Sequence, residues 1–160
     1  MSETLTTWLY PTNWDGEYMF PDGSEMPYGW KRMRVNFKYY DDSANGTDES
    51  GVVKLVRADM KTVDGTECYM LQVDKIEYNT YGMDVIIVYD MDGADQTIAR
   101  LPQSQANTMV GPWRPDIGPD GAYAGGETGN IKFTTMNASQ YDYYDITLDI
   151  TIVGWPRRLL

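Results

Sequence analysis

Hydrophobic and polar residues alternate most cleanly near the C-terminal end of the chain. There Tyr144, Ile146, Leu148, Ile150 and Ile152 interleave with Asp145, Thr147, Asp149 and Thr151. A period of two sends the sets to opposite faces of an extended strand, one wet and one buried, as in an antiparallel sheet. Residues 31–40 repeat the pattern. Met33, Val35, Phe37 and Tyr39 predict a core face, with Arg32, Arg34, Asn36 and Lys38 on a basic outer face.

Further strands are expected between these two. Asp41 to Ser50 reads as a polar, acidic hairpin loop around Asn45-Gly46, followed by a strand over Val52 to Met60. Asp64-Gly65 turns into a strand over Glu67 to Val73. The apolar phase then slips from Leu71 and Val73 to Ile76 and Tyr78, which predicts one extra residue in the ladder, a bulge. Tyr81, Gly82 and Met83 make a turn into Asp84 to Asp90, a run apolar on both faces and so placed centrally. Gln96 to Leu101 is a short strand, and Thr128 to Met136 another β-prone run. From Pro102 to Gly129 the prolines Pro102, Pro112, Pro115 and Pro119 and several glycines predict a long loop without a strand, with Trp113 as its anchor. No helix of useful length and no internal repeat emerges. The fold class is all-β: an antiparallel β-sandwich or jelly roll with an irregular N-terminal arm and a long Gly/Pro loop.

The chain divides into residues 1–30, 31–153 and 154–160. The first zone holds an expected edge strand, Thr4 to Tyr10, and then a loop broken by Pro11, Pro21 and Pro27. Its aromatics, among them Trp8, Trp14, Phe20 and Trp30, predict an extended arm that packs on something. The sandwich occupies 31–153, and a short tail with Trp155, Arg157 and Arg158 follows.

Composition sharpens this picture. The 160 residues carry thirteen Tyr and five Trp against three Phe, a bias toward half-buried sheet faces and interfaces. A net charge of −11 disfavours contact with a phosphate backbone, and the aromatics beside the basic stripe Lys31, Arg32, Arg34 and Lys38 fall on its opposite, core-facing side. That stripe is expected to meet acidic groups, either a neighbour's or this chain's own. The single cysteine, Cys68, rules out an internal disulfide and reads as a buried thiol. The start of the chain shows no basic segment followed by an apolar core, so synthesis in a cytoplasm without secretion is expected, and no apolar run is long enough for a membrane span.

Candidate chemistry is sparse. The chain has no histidine, which removes imidazole acid–base catalysis, His-containing triads and His-ligated metals. Among 24 acidic residues some pair must lie close, but a glycosidase needs two carboxyls at a defined separation across a cleft, which spacing along a chain does not give. Asp90, Asp92 and Asp95 resemble the opening of a calcium loop, yet the position for a bidentate Glu is Leu101, so a turn closed by Asp92-Gly93 is the expectation, with an irregular surface Ca²⁺ site as the alternative. No catalytic residue, cofactor or metal is expected. The Tyr and Trp population raises a sugar-stacking surface, for which aromatic platforms with Asp and Asn nearby would serve, but no arrangement in the sequence singles out a set.

Roughly residues 70–153 resemble a group of small virion accessory proteins of tailed bacteriophages. The residues that carry the resemblance are Ile76, Tyr81 to Val85, Tyr89-Asp90, Thr128-Gly129-Asn130-Ile131, Phe133-Thr134-Thr135 and Tyr144 to Leu148. The aromatic N-terminal zone and the tail from Val153 to Leu160 depart from that pattern. The resemblance implies a non-enzymatic structural protein located on the virion, a head decoration or cement protein that binds the major capsid protein or other virion proteins, as a homo-oligomer on the particle. Neck, tail or fibre-base placement is the variant, and a glycan-binding sandwich, with a host surface glycan as ligand, is the alternative. Expected partner-binding residues are Trp8, Trp14, Phe20, Trp30, Trp113, Trp155, Arg157 and Arg158, because a buried tryptophan is often the costliest side chain to remove from an interface.

Overall fold

A computed structural model describes residues 2–9, 31–59, 70–91, 94–117 and 128–153. Among the described residues nine strands follow in chain order: β1 (Ser2–Leu9), β2 (Lys31–Asp41), β3 (Val52–Leu55), β4 (Met70–Tyr81), β5 (Asp84–Tyr89), β6 (Gln96–Leu101), β7 (Ala106–Trp113), β8 (Ile131–Met136) and β9 (Tyr143–Val153). They form two antiparallel sheets with orders β1-β2-β9-β4-β7 and β3-β8-β5-β6. The pairs β2/β9, β3/β8, β4/β7 and β5/β6 nest inside one another like the arms of one long ribbon. The contacts β4/β9 and β5/β8 then roll that ribbon into two layers. This is the jelly-roll arrangement, with β1 added at one edge.

Alternation builds the core. Phe37, Ile146 and Ile76 from the five-stranded sheet meet Phe133, Ile87 and Leu101 from the other, all buried to 1% exposure or less. The Phe37 and Phe133 rings meet edge-on at 5.2 Å. Tyr89, central in the smaller sheet and fully buried, donates its hydroxyl to the carbonyls of Leu71 (2.6 Å) and Trp113 (2.9 Å), so a polar tip closes the gap between layers.

The predicted bulge lies at Asp74: Val73 pairs with Ile150, Lys75 with Asp149, and the register shifts between them. Its carboxylate accepts hydrogen bonds from Thr151 and from the Gln72 amide. The edge strand expected over Thr4 to Tyr10 runs over Ser2–Leu9 and pairs in register with β2, so the first part of the 1–30 arm is sheet.

Three expectations need correction. Asp41 to Ser50 is not a hairpin loop, because β2 and β3 lie in different sheets and pair with β9 and β8. The segment Pro102 to Gly129 is not free of strands, because β7 occupies Ala106–Trp113. It escapes a periodicity reading since it is an edge strand with little core face: Ala106, Asn107, Thr108 and Val110 are all exposed. Pro112, after a cis peptide bond at Gly111, is tolerated there because an edge strand can spare a donor. A Cβ on Gly111 would stand 2.6 Å from the Val73 carbonyl oxygen, so this position needs glycine. The strand expected over Val52 to Met60 ends at Leu55, and a 3-10 turn, Arg57–Asp59, follows. The Asn130 side chain accepts from the Arg57 amide and the Thr128 carbonyl from its guanidinium, which bends the chain out of the sheet.

Candidate binding face

The outward residues of β2, β9 and β4 come into register across the larger sheet. Tyr40 pairs with Tyr143 and Tyr143 with Tyr81, so three tyrosines from distant parts of the sequence form one row. Tyr81 and Tyr143 stack at 5.6 Å with planes 10° apart, and Tyr141, in the turn before β9, leans on Tyr40 at 6.5 Å. Tyr81 is 54% exposed and Tyr40 41%. The next row is Leu5, Lys38, Asp145 and Asn79, also in register. Together the two rows border a depression of about 420 Å³, lined by Leu5, Lys38, Tyr40, Asn79, Tyr143 and Asp145. A second, shallower depression shares Asn79 and Asp145 and continues across the sheet to Asn107 and Thr108 on β7. The result is a trough running across the strands.

Its polar groups are unevenly engaged. Asp145 accepts from the Asn36 amide at 2.6 Å and stands 4.0 Å from the Lys38 ammonium, which leaves both charges with hydrogen-bonding capacity to spare. Asn79 is exposed, and its carboxamide takes no partner among the described residues. Farther along the sheet, Arg34 bonds Glu77 at 2.7 Å and faces Asp149 at 3.3 Å, while Lys75 bonds Glu77 at 2.7 Å. The hydrogen bond from Lys75, with the charge of Arg34 behind it, holds the Glu77 carboxyl below its usual range. The described part of the basic stripe, Arg34 and Lys38, therefore meets this chain's own acidic strands.

Under the same end of the sheet lies a buried polar cluster. Lys54 and Glu49 pair at 2.6 Å with side chains 3% and 6% exposed, and Tyr144 donates to the other Glu49 oxygen at 2.6 Å. The Lys54 ammonium also lies 5.6 Å from the Phe133 ring centre. Burial, then the neighbouring Glu49 carboxylate, pushes the Tyr144 hydroxyl far above the usual tyrosine range, so it remains a donor. Nothing in the sequence marked this cluster, because Glu49 sits in a stretch of acidic and small residues that reads as solvated loop.

Of the residues predicted to bind a partner, Trp113 closes β7, half-buried against the core. Trp8 lies on β1 opposite Val35. Trp14, Phe20, Trp30, Trp155, Arg157 and Arg158 lie outside the described residues, as does Cys68. The strand ends Leu9, Lys31, Met70, Trp113 and Val153 share one end of the five-stranded sheet, opposite the tyrosine row. At the calcium-like run, Asp95 and Asp90 face the Lys132 ammonium at 2.8 and 3.3 Å, and Thr128 donates to Asp90 at 2.6 Å. The Thr128 bond, followed by Lys132, holds the Asp90 carboxyl low. A lysine thus stands where a cation would, and no trio of metal-binding side chains converges among the described residues.

No family model and no curated protein matches the chain. Solved structures similar to it include the family 11 carbohydrate-binding module from Clostridium thermocellum in complex with a β-1,3-1,4-mixed-linked tetrasaccharide, at 14% identity and a TM-score of 0.25, covering 96% of this chain and 84% of that one. The family 11 module of the cellulosomal cellulase Lic26A-Cel5E from the same organism is similar at 13% identity and a TM-score of 0.24, covering 96% and 82%. Likeness this distant carries no argument about function.

Proposed function

We propose that this chain is a non-catalytic jelly roll that works by docking, as a structural protein of a tailed-phage particle. Decoration of the capsid, bound to the major capsid protein, is the reading; a neck, tail or fibre-base position is its variant. The observation that supports docking over catalysis is that three carboxylates held by the fold are spent on structure. Asp41 closes the loop after β2 through Ser43 and Thr47, Glu49 is locked by Lys54 and Tyr144, and Asp90 by Thr128 and Lys132. The virion placement rests on the resemblance. Its Thr128, Asn130 and Phe133 clamp Asp90, Arg57 and the core, so they speak for a shared scaffold.

In this reading the tryptophan-bearing segments meet the particle. The chain leaves β1 at Leu9, re-enters at Lys31 and ends β9 at Val153, all at the Trp113 end of the sheet. The opposite, tyrosine end then faces outward. Counting this chain against the major capsid protein in purified particles, by quantitative mass spectrometry, tests the placement. A stoichiometry comparable to the capsid protein supports decoration, a handful of copies supports the neck or tail, and absence overturns the virion reading.

A second reading, glycan binding, is favoured by one observation. Aromatic platforms with Asp and Asn nearby would serve a sugar, and Tyr40, Tyr143 and Tyr81 stand in one row with Asp145 and Asn79 beside it.

A further inference from the structure

We propose that the trough beneath the tyrosine row is a saccharide subsite for an uncharged glycan, with Tyr40 and Tyr143 as its aromatic walls and Lys38, Asp145 and Asn79 as its polar floor. The inference rests on the glycan-binding reading and deepens it by naming the ligand class and the residues that select it.

The chemistry of a sugar sets three requirements. Its C–H faces need apolar, preferably aromatic, surface. Its vicinal hydroxyls need donors and acceptors side by side, and those groups must not already be spent on the protein. Tyr40 and Tyr143 line the depression, and Tyr143 is held upright by its stack on Tyr81, so one wall is ordered before any ligand arrives. Asn79 offers a donor and an acceptor on one carboxamide, and it has no internal partner among the described residues. Lys38 adds donors and Asp145 an acceptor, because their 4.0 Å separation is too long for a hydrogen bond between them.

Charge narrows the class. Lys38 and Asp145 cancel, so the floor carries no net charge of its own, and a chain of net charge −11 repels polyanions. The second depression shares Asn79 and Asp145 and reaches Asn107 and Thr108, which offers a neighbouring surface to a further sugar ring.

The experiment is isothermal titration of the full chain with cello-, xylo-, manno-, malto- and chito-oligosaccharides, and with oligogalacturonate as the anionic comparator. Tyr143→Ala, Tyr143→Phe and Asn79→Ala are titrated in parallel. Both positions are outward, and thermal melting confirms that each of the three variants is folded. A neutral oligosaccharide binds, Tyr143→Ala and Asn79→Ala each weaken it by about tenfold or more, and Tyr143→Phe stays within about threefold of the parent. Neutral binding that survives both alanine substitutions overturns the subsite and leaves glycan binding standing elsewhere on the molecule. Binding of oligogalacturonate alone overturns the uncharged class. No binding by any of the neutral set overturns the subsite and the glycan reading together.

Discussion

Tyr143 and Tyr144 are neighbours in the sequence and belong to two different worlds. Tyr144 points inward, stacks on Tyr39 at 5.5 Å and donates to Glu49 beside the buried Lys54. Tyr143 points outward, stacks on Tyr81 at 5.6 Å and borders an open trough. The geometry of the two stacks is nearly the same, and their surroundings are opposite. Inside, every polar atom of the cluster is answered by another part of the fold, so the cluster is spent on stability. Outside, Asn79, Lys38 and Asp145 keep unspent capacity, so that face is left to bind. One strand, β9, separates the two roles by a single step of its pleat.

If the inner cluster holds the fold together, removing any member of it must cost stability. Lys54→Ala strands the Glu49 carboxylate in the core and is expected to cost about 3–5 kcal/mol, read from urea denaturation. Tyr144→Phe keeps the ring but removes the donor to Glu49, and about 1–3 kcal/mol should be lost in the same assay. On the outer face, Tyr143→Ala should cost no more than about 1 kcal/mol, since it removes cross-strand contact without opening the core. Arg34→Ala, which breaks surface pairs with Glu77 and Asp149, should cost about 0.2–1 kcal/mol, and less in high salt.

A pH series sharpens the same contrast at a third site, the Asp90 clamp. The Asp90 carboxyl is held below its ordinary 3.8 by the Thr128 hydroxyl and Lys132. A depressed folded-state value means the clamp contributes fully above 3.8 and fades as the pH falls through that lower value. The stability gap between the parent and Thr128→Val is therefore expected to be open near neutral pH and to close in strong acid. A gap independent of pH would show that the Thr128 bond does not depend on the ionised carboxylate.

What the sequence disclosed follows how local each feature is. The alternation of β9 and β2 lies within ten residues and reads directly, and so does the phase slip that becomes the Asp74 bulge. β7 is opaque because an edge strand with little core face has no hydrophobic period to read. The tyrosine row depends on the register between residues 40, 143 and 81, which no local pattern encodes. The Glu49–Lys54 pair is hidden for a similar reason. A charge in a polar loop looks solvated until the opposite sheet folds over it. Trp113, the described tryptophan anchor that the sequence does offer, lies at the other end of the sheet from that row.

The orientation proposed for the particle, with the tryptophan end down and the tyrosine end out, is tested most directly by hydroxyl-radical footprinting of the chain, free and on purified virions. Trp113 is expected to be protected on the particle, Tyr40, Tyr81 and Tyr143 to stay as reactive as in the free chain, and Tyr144 to be protected in both states. Protection of the three outer tyrosines on the particle, with Trp113 unchanged, would contradict that orientation.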